Sequence, residues 1–193
     1  MNICDTNHIT PINNELPSIY VDRLGAAYTQ TVSQTFKKEN GQFFTPQAIA
    51  RFMGSLVSTN KMQIDILDPG CGTAILTCGL VENLVAKNPN IETINLVAYE
   101  TDSNLIFLSE KSLSYLKDWL SIKGISFQYI ICVHDFIMEH YNCLNPPSIN
   151  FSDNKQDFDF IISNPPYFKL SKEDNRVKAA QVIIDGQPNI YSI

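Results

Sequence analysis

A chain of 193 residues with 44% hydrophobic side chains suffices for one packed domain and is short for two. No apolar run approaches the roughly 18 residues needed to cross a bilayer, and the polar start from Met1 to Asn14 lacks the pattern of a secretory signal. A net charge of −6 argues against a domain that grips nucleic acid unaided, since the basic groups are few: Arg23, Lys37-Lys38, and Lys169 to Lys178.

In chain order, residues 1 to 16 read as a flexible lead. From Pro17 to Phe36, Tyr20, Leu24, Ala27, Tyr28 and Val32 recur at helical spacing, with Pro17 suited to the first turn. Lys37 to Gly41 breaks that helix. A second is expected from Thr45-Pro46, with Thr45 as N-cap, Pro46 at the first helical position and a buried stripe of Ile49, Phe52, Met53, Leu56 and Val57. Beyond Asn60 the pattern becomes strand–helix alternation. Strands are predicted at Ile64 to Leu67, Ile94 to Tyr99, Ser126 to Val133 and Phe158 to Ser163, and helices from about Ala74 to Ala86 and Ser103 to Trp119. Near-continuous apolar strands in that alternation mean an α/β fold: a parallel sheet with helices on both faces. The polar stretch 142–156 reads as an insertion or loop. Five scattered cysteines (Cys4, Cys71, Cys78, Cys132, Cys143) without a CxxC pair argue against a zinc site or a disulfide framework and suit a reducing cytoplasm.

Ligands of open parallel sheets bind beyond the carboxyl ends of the strands, and four exits here carry chemistry. The first is Asp68-Pro69-Gly70-Cys71-Gly72-Thr73, where Gly70 and Gly72 permit positive φ and close backbone approach, and the following helix start attracts a carboxylate. The second is Glu100, suited to accept from two ribose hydroxyls. It follows Asp68 by 32 positions, which disfavours a dinucleotide fingerprint. The third is Asp135-Phe136, a carboxylate for an exocyclic amine beside a ring for stacking. The fourth is Asn164-Pro165-Pro166-Tyr167. The prolines stop the strand and stiffen its exit, and the Asn164 side-chain oxygen and Pro165 carbonyl can converge on a flat ring carrying an NH₂ group. Asn145-Pro146-Pro147-Ser148 repeats the tripeptide with no apolar strand before it and no aromatic after it, so it reads as loop. Context carries the signal.

These motifs, in this order, resemble the N-terminal part of S-adenosyl-L-methionine-dependent adenine-N(6) DNA methyltransferases of restriction-modification type, in the group whose target-recognition region is C-terminal. The resemblance covers about residues 20 to 193 and includes Gly41-Gln42-Phe43-Phe44-Thr45-Pro46 ahead of the glycine loop, Tyr99-Glu100-Thr101-Asp102, His134-Asp135-Phe136, and Gly186 to Ile193 as the start of a later helix. Cys71 departs from the commoner Ala or Gly of the loop and reads as a small, buried, inert thiol.

The resemblance implies a Rossmann-like methyltransferase fold with seven strands in the order 3-2-1-4-5-7-6, of which about four are present. It implies a helical extension at 1–40 and a partial cofactor-binding and catalytic domain at 41–193, without a target-recognition domain. Thr45, Pro46 and the glycine-loop amides would sit at the methionine carboxylate, Asp68 at the amino group, Glu100 at the ribose, and Asp135 and Phe136 at the adenine of the cofactor. Asn164, Pro165, Pro166 and Tyr167 would hold a target adenine flipped from double-stranded DNA. No metal and no membrane are expected. The last strand would be left as an unpaired apolar edge, so the chain is expected to be a fragment, weakly active or inactive alone, whose missing half a second chain could supply. The rival readings are a protein glutamine-N(5) methyltransferase, which meets the same amide NH₂ problem, and a non-catalytic cofactor-binding remnant or subunit. Ribosomal RNA base methylation has no positive support. Gly41 to Pro46 favours the DNA enzyme.

Overall fold

Apolar strands flanked by amphipathic helices assemble as four parallel strands: β1 (Gln63–Asp68), β2 (Thr93–Tyr99), β3 (Ser126–Cys132) and β4 (Phe160–Ile161), in the order β3-β2-β1-β4. The computed structural model describes residues 6, 8–33, 44–140, 157–165, 171 and 173–180. The helices are α1 (Pro17–Thr31), α2 (Gln47–Ser55), α3 (Ile75–Lys87), α4 (Ser103–Ser121), the single turn α5 (Phe136–Glu139) and α6 (Asn175–Ala180). The expected alternation and strand order both hold. The core runs along β1 and β2 (Ile64, Ile66, Ile94, Leu96) and meets Leu80 and Leu84 of α3 and Leu108, Leu113 and Leu116 of α4.

Pro17 opens α1 as expected, but the helix ends at Thr31, with Val32 already extended; residues 34–43 lie outside the described residues. Its N-terminus is capped from a distance. Glu82 of α3 accepts from the Ser18 amide at 2.5 Å and from its hydroxyl at 2.8 Å, satisfying a helix-end donor that the local sequence leaves open.

Helix α2 departs from expectation twice. Pro46, not Thr45, is its N-cap, with extended ψ of 145° and no side-chain cap. The Gln47 amide donates instead to Asp22 Oδ1 of α1 at 3.0 Å. The buried face also differs. Ala50 and Gly54 face α3, where a Cβ on Gly54 would lie 2.6 Å from the Gly79 carbonyl oxygen and one on Gly79 2.8 Å from the Ala50 carbonyl carbon. Backbone-to-backbone approach at these small residues sets the rotation of the helix, so Ile49, Phe52 and Leu56 of the expected stripe are 48, 60 and 68% exposed. Met53 and Val57 do pack against the core.

The fourth strand is shorter than expected and is not buried. It pairs only through Ile66↔Phe160 and Leu67↔Ile161, flanked by bonds from the Asp159 amide to the Asp65 carbonyl and from the Ile162 amide to the Leu67 carbonyl. Among the described strands it has one neighbour, and this leaves Ile161 68% exposed while Ile162 is buried. Among the described residues β4 is thus a strand at the sheet's end. Side chains fasten it: Asp159 accepts from Lys61 and, at 3.0 Å, from the Asp65 amide.

Candidate active site

Because the strands are parallel and β4 lies next to β1, the four chemistry-bearing exits open on one edge of the sheet. The glycine loop turns immediately after Asp68. Gly72 takes a positive φ of 56°, and so does Ala74 (64°), which forms the left-handed entry to α3. A Cβ placed on Gly70 or Gly72 would meet nothing within 4 Å, so the loop presents bare backbone to open space. Two of its amides already have partners: Cys71 donates to the Tyr99 carbonyl at 2.9 Å and Gly72 to Glu100 Oε2 at 3.0 Å. These bonds tie the first exit to the second. They correct the expectation that the loop amides as a set await a carboxylate.

Asp68 is wholly buried. One oxygen accepts from the Thr77 hydroxyl at 2.7 Å, while Oδ1 has no hydrogen-bond partner. Burial above all, with the charge of Glu100 adding to it, pushes its carboxyl up to about 7 against the pull of the Thr77 hydroxyl and the nearby Gly70 amide. A buried acceptor without a donor is costly in a folded protein, and an incoming N–H would satisfy it.

Glu100 stands at the end of β2. Its Oε1 accepts from the Thr101 and Asp102 amides at 2.7 and 2.9 Å, and its other oxygen accepts from Gly72. Burial raises its pKa, against the pull of those three amides. The amides fix the carboxylate plane; Oε1 is filled by its two amide bonds, and Oε2 keeps acceptor capacity for a ligand. Cys71 and Cys78 are buried and their thiols are pushed well up, so neither is a reactive thiolate.

At the β3 exit, Asp135 caps α5 by accepting from the Met138 amide at 3.1 Å. Phe136 packs edge-on against Tyr99 (centroids 5.1 Å apart) and tilted against His140 (4.5 Å). Arg176 of α6 brings a guanidinium nitrogen within 3.7 Å of Asp135 Oδ2, while also pairing with Asp174 at 2.7 Å. Arg176 and Thr77 were missed by sequence reasoning. Arg176 lies within the basic group at 169–178, the one available hint; Thr77, inside the first turn of α3, carries no sequence signal.

Asn164 leaves the β4 edge half-buried, and its side-chain NH₂ donates to Thr45 Oγ1 at 2.9 Å across 119 residues of sequence. Pro165 is also half-buried, whereas Pro166 and Tyr167 lie outside the described residues, as do residues 141–156 and 181–193. Thr45, Asp68, Gly70, Gly72, Glu100 and Asn164 thus gather along the β1, β2 and β4 exits, with Asp135 and Phe136 flanking at β3, while Pro46 lies exposed next to Thr45 at the start of α2. Among the described residues no group of three or more His, Cys, Asp or Glu side chains could hold a metal, and no helix is long and apolar enough to cross a membrane.

The family model described as N-6 DNA Methylase matches residues 20–188. The chain belongs to the N-6 DNA methylase family. It is 32% identical over 158 residues to the type II methyltransferase M.BsuBI of Bacillus subtilis, covering 81% of this chain and 30% of that protein. To the type II methyltransferase M.PstI of Providencia stuartii it is 26% identical over 191 residues, covering 95% of this chain and 36% of that one. The methylase subunit of the type I restriction enzyme EcoEI of Escherichia coli matches over 133 residues at 29% identity, covering 66% of this chain and 24% of the subunit. This family member therefore spans about a third of the length of its curated type II relatives. Its fold is shared with a Listeria monocytogenes protein described as a class I S-adenosylmethionine-dependent methyltransferase, at a TM-score of 0.52 and 16% identity, covering 90% of this chain and 47% of that one. The Rossmann-like α/β architecture is thereby established.

Proposed function

We propose that this chain is the cofactor-binding and catalytic part of a restriction-modification DNA methyltransferase that acts on the exocyclic amine of adenine, with residues 1–40 as a helical extension and 41–193 as the working unit. One observation carries the reading: the sheet order sets Asn164 beside the exit of Asp68, with Glu100 one strand further on. S-adenosyl-L-methionine, when bound, supplies an electrophilic sulfonium methyl group. The residues fit that group. Asp68 Oδ1 lacks a donor that the amino group would provide, and the bare loop at Gly70 and Gly72 leaves room for the ligand. Glu100 would accept from the ribose hydroxyls, Thr45 and Pro46 would border the methionine carboxylate, and Asp135 and Phe136 would take the cofactor's adenine.

The amine of adenine is a weak nucleophile because its lone pair is delocalised into the ring. Asn164 Oδ1 and the Pro165 carbonyl would accept its two N–H groups, favouring a pyramidal nitrogen with its lone pair free to attack. That is positioning joined to preorganised electrostatics. Tyr167 would stack on the flipped base, a contact worth roughly 1–3 kcal/mol, with Pro166 stiffening the turn between them. Because the chain is acidic, phosphate contacts from outside it would supply most of the grip on double-stranded DNA. A second chain is one source of them.

The test is methyl transfer from tritiated S-adenosyl-L-methionine to duplex DNA by the whole protein, with N(6)-methyl-2′-deoxyadenosine identified after digestion. The 193-residue chain alone is expected to bind the cofactor and transfer weakly or not at all. Label on a protein glutamine instead of DNA, or no cofactor binding, would overturn the proposal.

A further inference from the structure

We infer that Thr45 is a positioning residue whose hydroxyl turns the Asn164 side-chain amide so that Oδ1, and not the NH₂ group, faces the reacting amine. The inference rests on the methyl-transfer reading above for its purpose, and on the 2.9 Å contact for its substance.

The two ends of an asparagine amide are nearly equal in size and opposite in chemistry. With Oδ1 outward, Asn164 accepts an N–H from the target. Turned over, it sets one NH₂ against another and repels it. The NH₂ of Asn164 is held at Thr45 Oγ1, so Oδ1 is left to face the target.

A hydroxyl accepts or donates, so Thr45 enforces this choice only while its own proton goes elsewhere. A carboxylate beside Thr45 would take that proton, and the methionine end of the cofactor is such a group. Filling of the cofactor site would then select the productive face of Asn164 before any base arrives.

The two ends of the contact are anchored unequally. Asn164 hangs two residues beyond the last β1–β4 bond, at the end of a two-residue ladder. Thr45 is buried and precedes a proline, which restricts it to extended geometry. The helix that follows is clamped by Asp22 and by the Gly54–Gly79 contact. The rigid partner therefore orients the loose one.

The experiment reads hydrogen exchange of the Asn164 side-chain NH₂ by NMR in the 193-residue chain, with its signals identified by their loss in Asn164→Asp. Thr45→Val is expected to accelerate exchange about tenfold, as loss of one hydrogen bond implies. Thr45→Ser restores the wild-type rate, and S-adenosyl-L-homocysteine slows exchange in wild type but not in Thr45→Val. Thr45→Ala serves the same purpose should the valine unfold the chain. Unchanged exchange in both apolar variants overturns the inference.

In the whole protein, Thr45→Val is expected to slow single-turnover transfer roughly 10- to 100-fold at saturating cofactor. A loss that saturation abolishes makes Thr45 a cofactor ligand only, and overturns the inference too. If the wild-type protein methylates no adenine, the functional reading fails, and the exchange measurement still decides the contact.

Discussion

The exits of β1 and β4 lie side by side and are built in contrasting ways. Asp68 ends an interior strand paired along six residues to β2, within a fully buried environment, and its loop is laced to β2 through Cys71 and Gly72. Asn164 follows a two-residue edge strand held by Lys61, Asp65 and Thr45. On the proposed reading, the side of the site that takes the cofactor is prepared by the sheet itself, whereas the side that would face the reacting amine is prepared by a few side chains reaching across from elsewhere. Interior pairing gives rigidity through backbone bonds; an edge must borrow it.

Four changes would break or sharpen that contrast. The largest concerns Asp68. Its carboxyl stands at about 7 in the fold, against 3.8 in an unfolded chain. Between those values the folded form holds a proton that the unfolded form releases, so this group makes stability fall as pH rises from about 4 to 7, with no further change above. At about 1.4 kcal/mol per pH unit the gap amounts to roughly 4 kcal/mol as an upper bound. Urea unfolding of the free protein at pH 4, 5.5 and 8 should show this slope, and Asp68→Asn should flatten it. Cofactor binding near pH 6 should release a proton, seen in calorimetry with buffers of different ionisation enthalpy.

Asn164→Ala comes next. If Asn164 accepts from the amine as proposed, its loss is expected to lower transfer by the whole protein about 100- to 1000-fold, while cofactor affinity changes little. A parallel loss of cofactor binding would mean that the two exits are not separable.

Gly54→Val tests the scaffold behind Thr45. Its added atoms meet backbone and not flexible side chains, so a loss of about 2–3 kcal/mol is expected in denaturant unfolding. Unchanged stability would mean that α2 is not clamped on α3.

The smallest effect is Asp159→Asn. It weakens the links to Lys61 and to the Asp65 amide and should speed amide exchange at Phe160 and Ile162 roughly tenfold, leaving the amides of β2, and those of β1 other than Asp65, unaffected. Equal acceleration across the sheet would erase the distinction between edge and interior.

Much of the fold was legible because it rests on local signals. Alternating apolar strands and helices, Pro17 at a helix start, and acids at strand ends all follow from period and turn chemistry over short windows. The errors share one cause. The buried face of α2 was misread because Ala50 and Gly54 carry little hydrophobic signal, yet their small size lets two backbones touch. Thr45 reads locally as a helix cap; the structure gives its hydroxyl to a residue 119 positions away. Tyr167 and Pro166 fall outside the described residues, so their part remains a proposal.

From the amino-acid order alone came the parallel sheet and the residue types set at its exits, while the strand order was what the family resemblance implied. The first two follow from hydrophobic periodicity and from what proline and glycine do to a backbone. Tertiary structure alone decided that Asp68 keeps an unpaired oxygen, that Glu100 fastens the glycine loop, and that Thr45 holds Asn164. Such contacts join residues remote in the chain, and their geometry is set by packing, which no local window of sequence encodes.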